Sequence, residues 1–175
     1  RDGGTDPAGR GMIDLLRRRG GEIGERPVGT GAGGKSGEPI ADLAVRSSSL
    51  HGIDVDSAEV AGAIDEIPIL CLAAAVASGR SRIRGIGELR HKESDRVAGI
   101  VAGLAALGAR IRADGDEIEI EGGRALRGAT VASYDDHRLA MTFAIAGLIA
   151  QGTTLVGQPA SADVSYPGFF DELER

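Results

Sequence analysis

The chain has 175 residues, of which 42% are hydrophobic and 26% charged, a composition typical of a soluble globular protein with one core. A net charge of −6 and the lack of a basic patch with interleaved aromatic residues argue against a nucleic-acid partner. The apolar stretches are too short to cross a bilayer and no signal peptide is evident, so we expect no membrane partner and a cytoplasmic location. Because the chain begins with Arg1 rather than methionine, we expect a fragment of a longer protein.

Cys71 is the single cysteine, which excludes a disulfide framework and a cysteine-based zinc site. It lies in an apolar run, residues 67–77, where a small side chain is typically buried within a helix. We therefore expect Cys71 to have a structural role rather than a nucleophilic one.

The first half of the chain alternates predicted helices and strands. Apolar residues at helical spacing predict a helix over residues 7–19, which ends at two glycines. The remaining elements are strands at 22–28, 40–47, 53–55 and 81–86, a glycine-rich loop at 29–38, and an apolar helix at 67–78.

The second half repeats this pattern. It contains predicted helices at 94–107 and 139–150, and strands at 109–113, 117–121, 129–132 and 153–156. Three segments of the first half match three of the second: 16–23 with 104–111, 52–55 with 128–131, and 69–79 with 142–152. The sequence therefore predicts an α/β (α+β) fold with mixed sheets, built from two copies of one unit, about 1–87 and 88–175.

Charged residues cluster where the first helix of the second unit begins. Ser94 is the predicted N-cap, which places Lys92, Glu93 and Arg96 around the helix N-terminus. The free backbone N–H groups there favour anions, so two cations at this end oppose the helix dipole. A solvated, charged first turn and an anion-binding site both fit this pattern.

The two wholly apolar helices also begin beside ionisable residues. Asp65 and Glu66 precede the first of them, and the run Asp135-Asp136-His137-Arg138 precedes the second. The aspartates fit helix caps and a binding site equally well. Arg138, which the repeat matches to Asp65, opposes the helix dipole, and a bound anion would remove that conflict.

The segment from Gly29 to Ser36 satisfies the Walker A pattern, but its setting does not. A phosphate-binding loop leaves a buried strand and opens a helix whose N-terminus faces the phosphates. Here the preceding residues are polar and interrupted by Pro27, and the following residues, 40–46, alternate as in a strand. We therefore predict a flexible hairpin loop rather than a nucleotide site.

Four motifs occur in an order that resembles the C-terminal part of the EPSP synthase family (3-phosphoshikimate 1-carboxyvinyltransferases). They are Ala63-Ile64-Asp65-Glu66-Ile67-Pro68, Lys92-Glu93-Ser94-Asp95-Arg96, Asp135-Asp136-His137-Arg138-Leu139-Ala140-Met141 and Ser165-Tyr166-Pro167-Gly168-Phe169-Phe170. Residues 37–42 and 45–48 are also similar to this family. The resemblance implies that residues 1–175 are the C-terminal part of a longer enzyme, with two of the three βαβαββ units of an inside-out α/β barrel domain and without the N-terminal domain.

The resemblance also implies a reaction. Family members transfer the enolpyruvyl group of phosphoenolpyruvate to the 5-hydroxyl of shikimate 3-phosphate in the shikimate pathway, by addition and then elimination of phosphate. No cofactor takes part, glyphosate is the known inhibitor, and a full-length enzyme of this kind is expected to be a monomer. The expected partners of this chain are therefore the two anionic substrates and the missing N-terminal domain.

Two carboxylates are the catalytic residues that the resemblance implies. Asp65 would hold the shikimate hydroxyls and accept a proton. Glu93 would donate a proton to the methylene carbon and take it back in the elimination. A general acid works best with a pKa near the working pH, so we expect Glu93 to be buried, with nearby cations opposing the resulting rise in its pKa.

The implied binding residues are cationic or polar. Lys92 would contact shikimate 3-phosphate, Arg96 and Arg138 would grip the carboxylate of phosphoenolpyruvate, and His137 would line the same site. One departure from the family pattern concerns the phosphate: Val164 occupies a position where many members carry lysine.

Two alternatives remain at this point. One is the related enolpyruvyl transferase that acts on UDP-N-acetylglucosamine, which normally uses a loop cysteine, whereas Cys71 lies in a predicted helix. The other is a non-catalytic half that needs its partner domain to bind anything. Because the resemblance implies that the missing N-terminal domain supplies most contacts to shikimate 3-phosphate, we expect the isolated chain to have no appreciable turnover.

Overall fold

The computed structural model describes residues 7–30 and 39–174, which form an α+β fold as the sequence predicted. The helices described are α1 (Pro7–Arg18), α2 (Ser57–Ala61), α3 (Ile67–Val76), α4 (Arg96–Ala106), α5 (His137–Ile149) and α6 (Phe169–Leu173). The strands described are β1 (Glu22–Thr30), β2 (Pro39–Arg46), β3 (Asp54–Val55), β4 (Arg80–Arg84), β5 (Arg110–Asp114), β6 (Glu117–Glu121), β7 (Thr130–Ala132) and β8 (Leu155–Gly157). Short 3-10 turns cover Ile64–Glu66, Gly87–His91 and Pro159–Val164.

The internal repetition is visible in the backbone pairing. In the first half, β3 and β4 run parallel and His51 forms an isolated parallel bridge with Ser78. In the second half, β7 and β8 run parallel and Arg127 forms the corresponding bridge with Gln151. Each half therefore contains a parallel strand pair and, just before it, an isolated parallel bridge to a residue just after a buried helix.

Three sheets are present among the described residues. The largest has the strand order β3-β4-β6-β5, in which only the β3–β4 contact is parallel. The other two sheets have two strands each, the antiparallel pair β1–β2 and the parallel pair β7–β8. The four-stranded sheet therefore combines a strand pair from the first half of the chain with a hairpin from the second.

The helices α4 and α5 approach each other closely because α4 presents glycines to α5. A Cβ atom on Gly103 would lie 2.1 Å from Cζ of Phe143, and one on Gly99 would lie 2.5 Å from Cδ1 of Leu139. Both α5 side chains are fully buried, and Cys71 is buried in α3 as predicted. This packing places the N-terminal ends of α4 and α5 side by side.

Several predicted boundaries differ from the structure. Helix α4 begins at Arg96, and its N-cap is Asp95, whose carboxylate accepts the backbone N–H of Ala98 at 2.9 Å. The prediction that Ser94 caps this helix was wrong, because Ser94 donates its hydroxyl hydrogen to another carboxylate. The short helices α2 and α6 were not predicted, since neither is long enough to show helical periodicity.

The glycine-rich segment connects two antiparallel strands, β1 and β2, as predicted for a hairpin. A strand rather than a helix follows it, so the geometry required for a phosphate-binding loop is absent from the described part of the chain. Residues 31–38 themselves, and with them the start of the 37–42 motif, lie outside the described residues. Among the residues described, no helix combines the length and apolar character needed to span a membrane.

Candidate active site

Five of the six predicted site residues meet where three elements begin. Asp65 lies in the 3-10 turn before α3, Lys92 and Glu93 lie just before α4, Arg96 is the first residue of α4, and Arg138 is the second residue of α5. Ion pairs connect all five of these side chains, either directly or through Asp65 and Arg96. We refer to these five residues as the charge cluster.

Arg96 is the centre of the charge cluster. Its side chain is only 2% exposed, and each of its three nitrogens contacts a different carboxylate. Nε lies 2.7 Å from Oδ2 of Asp136, Nη1 lies 2.9 Å from Oδ1 of Asp65, and Nη2 contacts Glu93. Burial alone would lower the pKa of Arg96, but the Asp136 hydrogen bond and the three negative charges raise it above its usual value. The guanidinium is therefore permanently charged and fixed in orientation.

Asp136 contacts the charge cluster, although the sequence analysis did not assign it to the site. It is fully buried and is the N-cap of α5, where Oδ1 accepts the backbone N–H groups of Arg138 at 2.9 Å and Leu139 at 3.3 Å. Its other oxygen, Oδ2, accepts hydrogen bonds from Arg96 and, at 3.0 Å, from the Ser94 hydroxyl. A single carboxylate thus caps one helix and holds the first side chain of the other. The aspartate pair before an apolar helix was the available signal, but it fitted a helix cap and a binding site equally well.

The turn that precedes Asp136 has an unusual backbone. Tyr134 and Asp135 both have φ of 56°, a left-handed conformation that non-glycine residues seldom adopt. The turn is closed by a hydrogen bond from the Asp136 N–H to the Ser133 carbonyl, with a distance of 3.0 Å. Such conformations cost about 1–3 kcal/mol per residue and persist only where the surroundings enforce them. Here the enforced turn directs the Asp136 carboxylate towards α4.

Asp65 is surrounded by cations. Its carboxylate lies 2.9 Å from Arg96, 3.7 Å from Lys92 Nζ and 3.7 Å from Arg138 Nη2. Partial burial favours the protonated form, but the charges of Arg138, Lys92 and Arg96 outweigh it and hold the pKa of Asp65 below its usual value. Asp65 is consequently ionised over the physiological pH range. The pKa of Lys92 is raised, first by its hydrogen bond to Glu88 at 2.8 Å and further by the charge of Asp65.

Arg138 is less completely paired than Arg96. Its side chain is 31% exposed, and its contacts to Glu66 and Asp65 are long, at 3.4 Å and 3.7 Å. Its Nε atom is buried and has no hydrogen-bond partner in the described part of the chain. A buried N–H donor without an acceptor costs free energy, which a bound anion would recover.

Three further residues named in the sequence analysis are Glu93, His137 and Val164, and none of them is fully buried. The expectation that Glu93 is buried was wrong: its side chain is 51% exposed, because it precedes α4 on the solvent side of Arg96. His137 begins α5 and is half-buried, but no hydrogen bond or ion pair of its ring is found within residues 7–30 and 39–174. Val164 is exposed at the end of the third 3-10 turn.

The charge cluster is suited to binding a small polyanion. Three cations, two at the start of α4 and one at the start of α5, lie around Asp65. The carboxylates that pair with them are Asp65, Glu66, Glu88, Glu93 and Asp136. Guanidinium and ammonium groups held in fixed positions stabilise phosphates and carboxylates. An incoming anion would compete with Asp65 and Glu93 for the same donors, which links anion binding to release of the two carboxylates.

Comparison with known proteins supports this interpretation. Residues 5–173 match the family model for EPSP synthase (3-phosphoshikimate 1-carboxyvinyltransferase). The chain is 49% identical over 173 residues to the 3-phosphoshikimate 1-carboxyvinyltransferase of Roseiflexus castenholzii, with 97% of this chain and 38% of that protein covered. It is 44% identical over 178 residues to the enzyme of the same name from Salinibacter ruber, with 99% and 40% covered. The chain thus spans about two fifths of the length of these relatives.

Solved structures agree with the sequence comparison. The EPSP synthase of Acinetobacter baumannii superimposes with a TM-score of 0.85 at 34% identity, over 94% of this chain and 38% of that one. The enolpyruvyl transferase NikO of Streptomyces tendae, at 20% identity and a TM-score of 0.64, shares the fold. With a family match over almost its whole length, and with residues of three of the four motifs in one cluster, the chain belongs to the EPSP synthase family.

Proposed function

We propose that this chain forms part of an enzyme that transfers the enolpyruvyl group of phosphoenolpyruvate to the 5-hydroxyl of shikimate 3-phosphate and releases phosphate. The observation that carries the proposal is the charge cluster, in which Lys92, Arg96 and Arg138 all lie within 4 Å of Asp65. Membership of the EPSP synthase family identifies the reaction, and both substrates are anions that such a cluster suits.

The proposed roles follow the contacts. Arg138, with its unpartnered Nε, would make the first contact with the carboxylate of phosphoenolpyruvate. Arg96 would bind the same carboxylate once Glu93 or Asp65 releases it, since three carboxylates occupy its nitrogens in the free chain. Lys92 would contact shikimate 3-phosphate, and His137 would line the site.

The proton transfers would use the two carboxylates that anion binding releases. In the addition, the oxygen of the 5-hydroxyl bonds to C2 of phosphoenolpyruvate, and Asp65 would accept the proton of that hydroxyl. Glu93 would protonate C3 in the same step. In the elimination, Glu93 takes back a proton from C3, the C2–O bond to phosphate breaks, and the departing phosphate takes up the proton that Asp65 had accepted. Asp65 is a weak base while three cations surround it, so substrate binding would have to draw those cations away before it can accept a proton.

We further propose that the chain consists of two units, about 1–87 and 88–175, and that the additional length of its relatives supplies the remaining substrate contacts. The isolated chain would then have no appreciable turnover. Phosphate release should be measured for the chain alone and for the chain mixed with the missing portion of the Roseiflexus relative. Turnover only in the mixture would support the proposal, and turnover near that of a complete relative by the chain alone would contradict it.

A binding measurement distinguishes this function from the alternative that the chain has only a structural role in the enzyme. Phosphoenolpyruvate can be titrated into the same mixture by calorimetry, with the chain carrying Arg138→Ala as the matched variant. If the charge cluster binds substrate, the heat of binding should disappear with Arg138→Ala. Equal binding by both mixtures would mean that this chain contributes no part of the anion site.

A further inference from the structure

The loop between the buried Leu89 and the buried Arg96 carries Lys92 and Glu93. Each of residues 90–95 is at least partly exposed, so burial does not fix this part of the chain. We refer to residues 90–95 as the Glu93 loop. The ion pair of Glu93 with Arg96 is a contact for which an incoming anion would compete. Other contacts therefore have to hold the loop when the site is occupied.

Arg90 makes two contacts across the Glu93 loop. Its Nη2 atom donates to the Gly115 carbonyl at 3.1 Å, and its Nη1 atom lies 3.6 Å from Oδ2 of Asp95. The first contact goes to the turn between β5 and β6, and the second goes to the N-cap of α4. One guanidinium thus connects the start of the loop, the end of the loop and the four-stranded sheet.

The turn that accepts the hydrogen bond of Arg90 is itself fixed. The Asp116 carbonyl accepts the backbone N–H of Gly85 at 2.9 Å and that of Ile86 at 3.5 Å. Gly87 packs against the same turn, since a Cβ atom on it would lie 3.1 Å from Oδ1 of Asp116. The turn is therefore anchored to the segment that leads from β4 into the loop, and it gives Arg90 a partner outside the loop.

Asp95 uses its two carboxylate oxygens for different elements. Oδ1 accepts the backbone N–H of Ala98 at 2.9 Å and caps α4, whereas Oδ2 faces Arg90. Asp136 shows the same division, because its Oδ1 caps α5 and its Oδ2 holds Arg96. An aspartate at a helix N-terminus thus orients an arginine twice in this chain, once within the charge cluster and once in the loop beside it.

We propose that Arg90 is a positioning residue for Glu93, a proposal that rests on the proposed function. A bound anion would displace Glu93 from Arg96, whereas the contacts of Arg90 involve neither the substrate nor the charge cluster. The Ser94 hydroxyl holds the loop on its buried side, and Arg90 holds it on the exposed side. Glu93 then stays within reach of the carbon that it protonates. A misplacement of about 1 Å can lower a rate about 100-fold.

The first test is kinetic and uses the mixture with the missing portion of the Roseiflexus relative. Arg90→Ala should lower kcat about 10- to 100-fold, because Glu93 is less often within reach of its carbon. KM for phosphoenolpyruvate should change by less than about twofold, since Arg96 and Arg138 lie on helices rather than on the loop. An unchanged kcat, or a KM that rises as much as kcat falls, would overturn the proposal.

Two matched variants test whether the bridging geometry of Arg90 matters. Arg90→Lys keeps the charge but replaces the guanidinium fork with a single ammonium group, so it should lose as much kcat as Arg90→Ala. The control is Arg110→Ala, which removes another partly exposed, ion-paired arginine at the far end of the β5–β6 hairpin and should keep the original kcat. Full activity of Arg90→Lys, or an equal loss in Arg110→Ala, would overturn the proposal.

A double-variant cycle tests whether Arg90 acts through Asp95. Asp95→Asn keeps a side chain that can cap α4 but removes the charge that faces Arg90. It should lower kcat less than Arg90→Ala does, because the contact with the Gly115 carbonyl remains. The double variant should be no slower than Arg90→Ala alone. Losses in kcat that multiply would show that the two residues act independently, and would overturn the proposal.

Backbone order parameters of the isolated chain need no turnover, so they separate failure of this proposal from failure of the proposed function. The amides of residues 91–94 should have an order parameter of about 0.85 in the original chain and in Arg110→Ala, and below about 0.6 in Arg90→Ala and Arg90→Lys. Equal order parameters in all four proteins would overturn the positioning role of Arg90, whether or not the mixture is active. A mixture that is inactive even with the original chain would instead contradict the proposed function.

Discussion

Arg96 Nε lies 2.7 Å from Oδ2 of Asp136, and this ion pair joins the N-termini of α4 and α5 inside the protein. The two side chains are 2% and 0% exposed, so both charges are removed from water. A buried pair of this kind adds little net stability over apolar residues, but removing one partner leaves an uncompensated charge. The pair therefore acts mainly by fixing the geometry of the charge cluster.

Replacement of Asp136 should lower the free energy of unfolding far more than replacement of another N-cap residue. We expect Asp136→Ala to lower the free energy of unfolding by about 3–5 kcal/mol, because Arg96 is left buried without its partner. The matched control is Asp95→Ala, which removes the exposed N-cap of α4 and should cost about 1 kcal/mol. Urea denaturation of both variants measures the difference. Equal losses would indicate that capping accounts for the whole role of Asp136.

The two arginines of the charge cluster should respond differently to truncation. Arg138 is partly exposed and its ion pairs are long, so Arg138→Ala should cost no more than about 1 kcal/mol of stability. Arg96→Ala should cost about 3–5 kcal/mol because it leaves the buried Asp136 carboxylate without its cationic partner. Thermal denaturation with and without phosphoenolpyruvate, in the mixture with the missing portion, measures both effects. Ligand stabilisation that survives Arg138→Ala would contradict the proposed role of Arg138.

The stability of the chain should depend on the ionisation of Asp65. Its pKa is lowered in the folded state, so the folded chain binds fewer protons than the unfolded chain near the usual aspartate pKa. The stability that Asp65 contributes is therefore fully present above about pH 5 and is lost as the pH falls through the lowered folded pKa, below about 4. Denaturation midpoints of the original chain and of Asp65→Asn should differ most above pH 5 and converge in acid. A constant difference between pH 2 and pH 7 would contradict this linkage.

Arg19 is a buried cation without a carboxylate partner within the described residues. It donates to the His51 carbonyl at 3.3 Å, the Leu70 carbonyl at 3.2 Å and the Ser81 hydroxyl at 3.1 Å. Burial lowers the pKa of Arg19 to about 10, so its charged form is disfavoured by folding. The corresponding position in the second half of the chain is the buried Leu107.

This comparison gives a prediction for the core. Arg19→Leu should change the free energy of unfolding by less than about 2 kcal/mol, because loss of the buried charge offsets loss of three hydrogen bonds. Arg19→Ala should cost about 3 kcal/mol or more, since it also leaves a cavity. Above pH 10 the folded chain releases the Arg19 proton more readily, so the original chain should gain stability relative to Arg19→Leu. Chemical denaturation of the original chain and both variants between pH 7 and pH 11 tests both points. A difference of one pKa unit between the folded and unfolded states corresponds to about 1.4 kcal/mol in the free energy of unfolding.

Much of the fold could be predicted because its apolar periodicity and its repeats are strong. The buried helices α3 and α5, the hairpins and the matched segments all followed from local patterns. The matched glycines have a physical cause: a Cβ on Gly52 would lie 2.0 Å from the Arg80 carbonyl, and one on Gly128 would lie 2.2 Å from the Thr153 carbonyl. Helix α2 carried a usable signal that was missed, since Asp56 and Glu59 form a capping box.

The site could be predicted only in part, because its contacts depend on how α4 crosses α5. The sequence motifs predicted all five residues of the charge cluster as site residues, but no local pattern shows that Asp136 reaches Arg96 across 40 residues. That contact requires the close approach at Gly99 and Gly103, which is a property of the packed pair of helices. The wrong N-cap for α4 has the same origin, since the hydroxyl of Ser94 bonds across the interface rather than to its own helix.

The shared use of the Asp136 carboxylate has a consequence for local opening of the chain. The first N–H groups of a helix normally exchange with solvent readily, because only an exposed cap protects them. Here the amides of Arg138 and Leu139 bond to a carboxylate whose other oxygen is held by Arg96 and Ser94. Fraying at the start of α5 therefore has to disturb the start of α4 as well, and the two helix ends open as one cooperative unit.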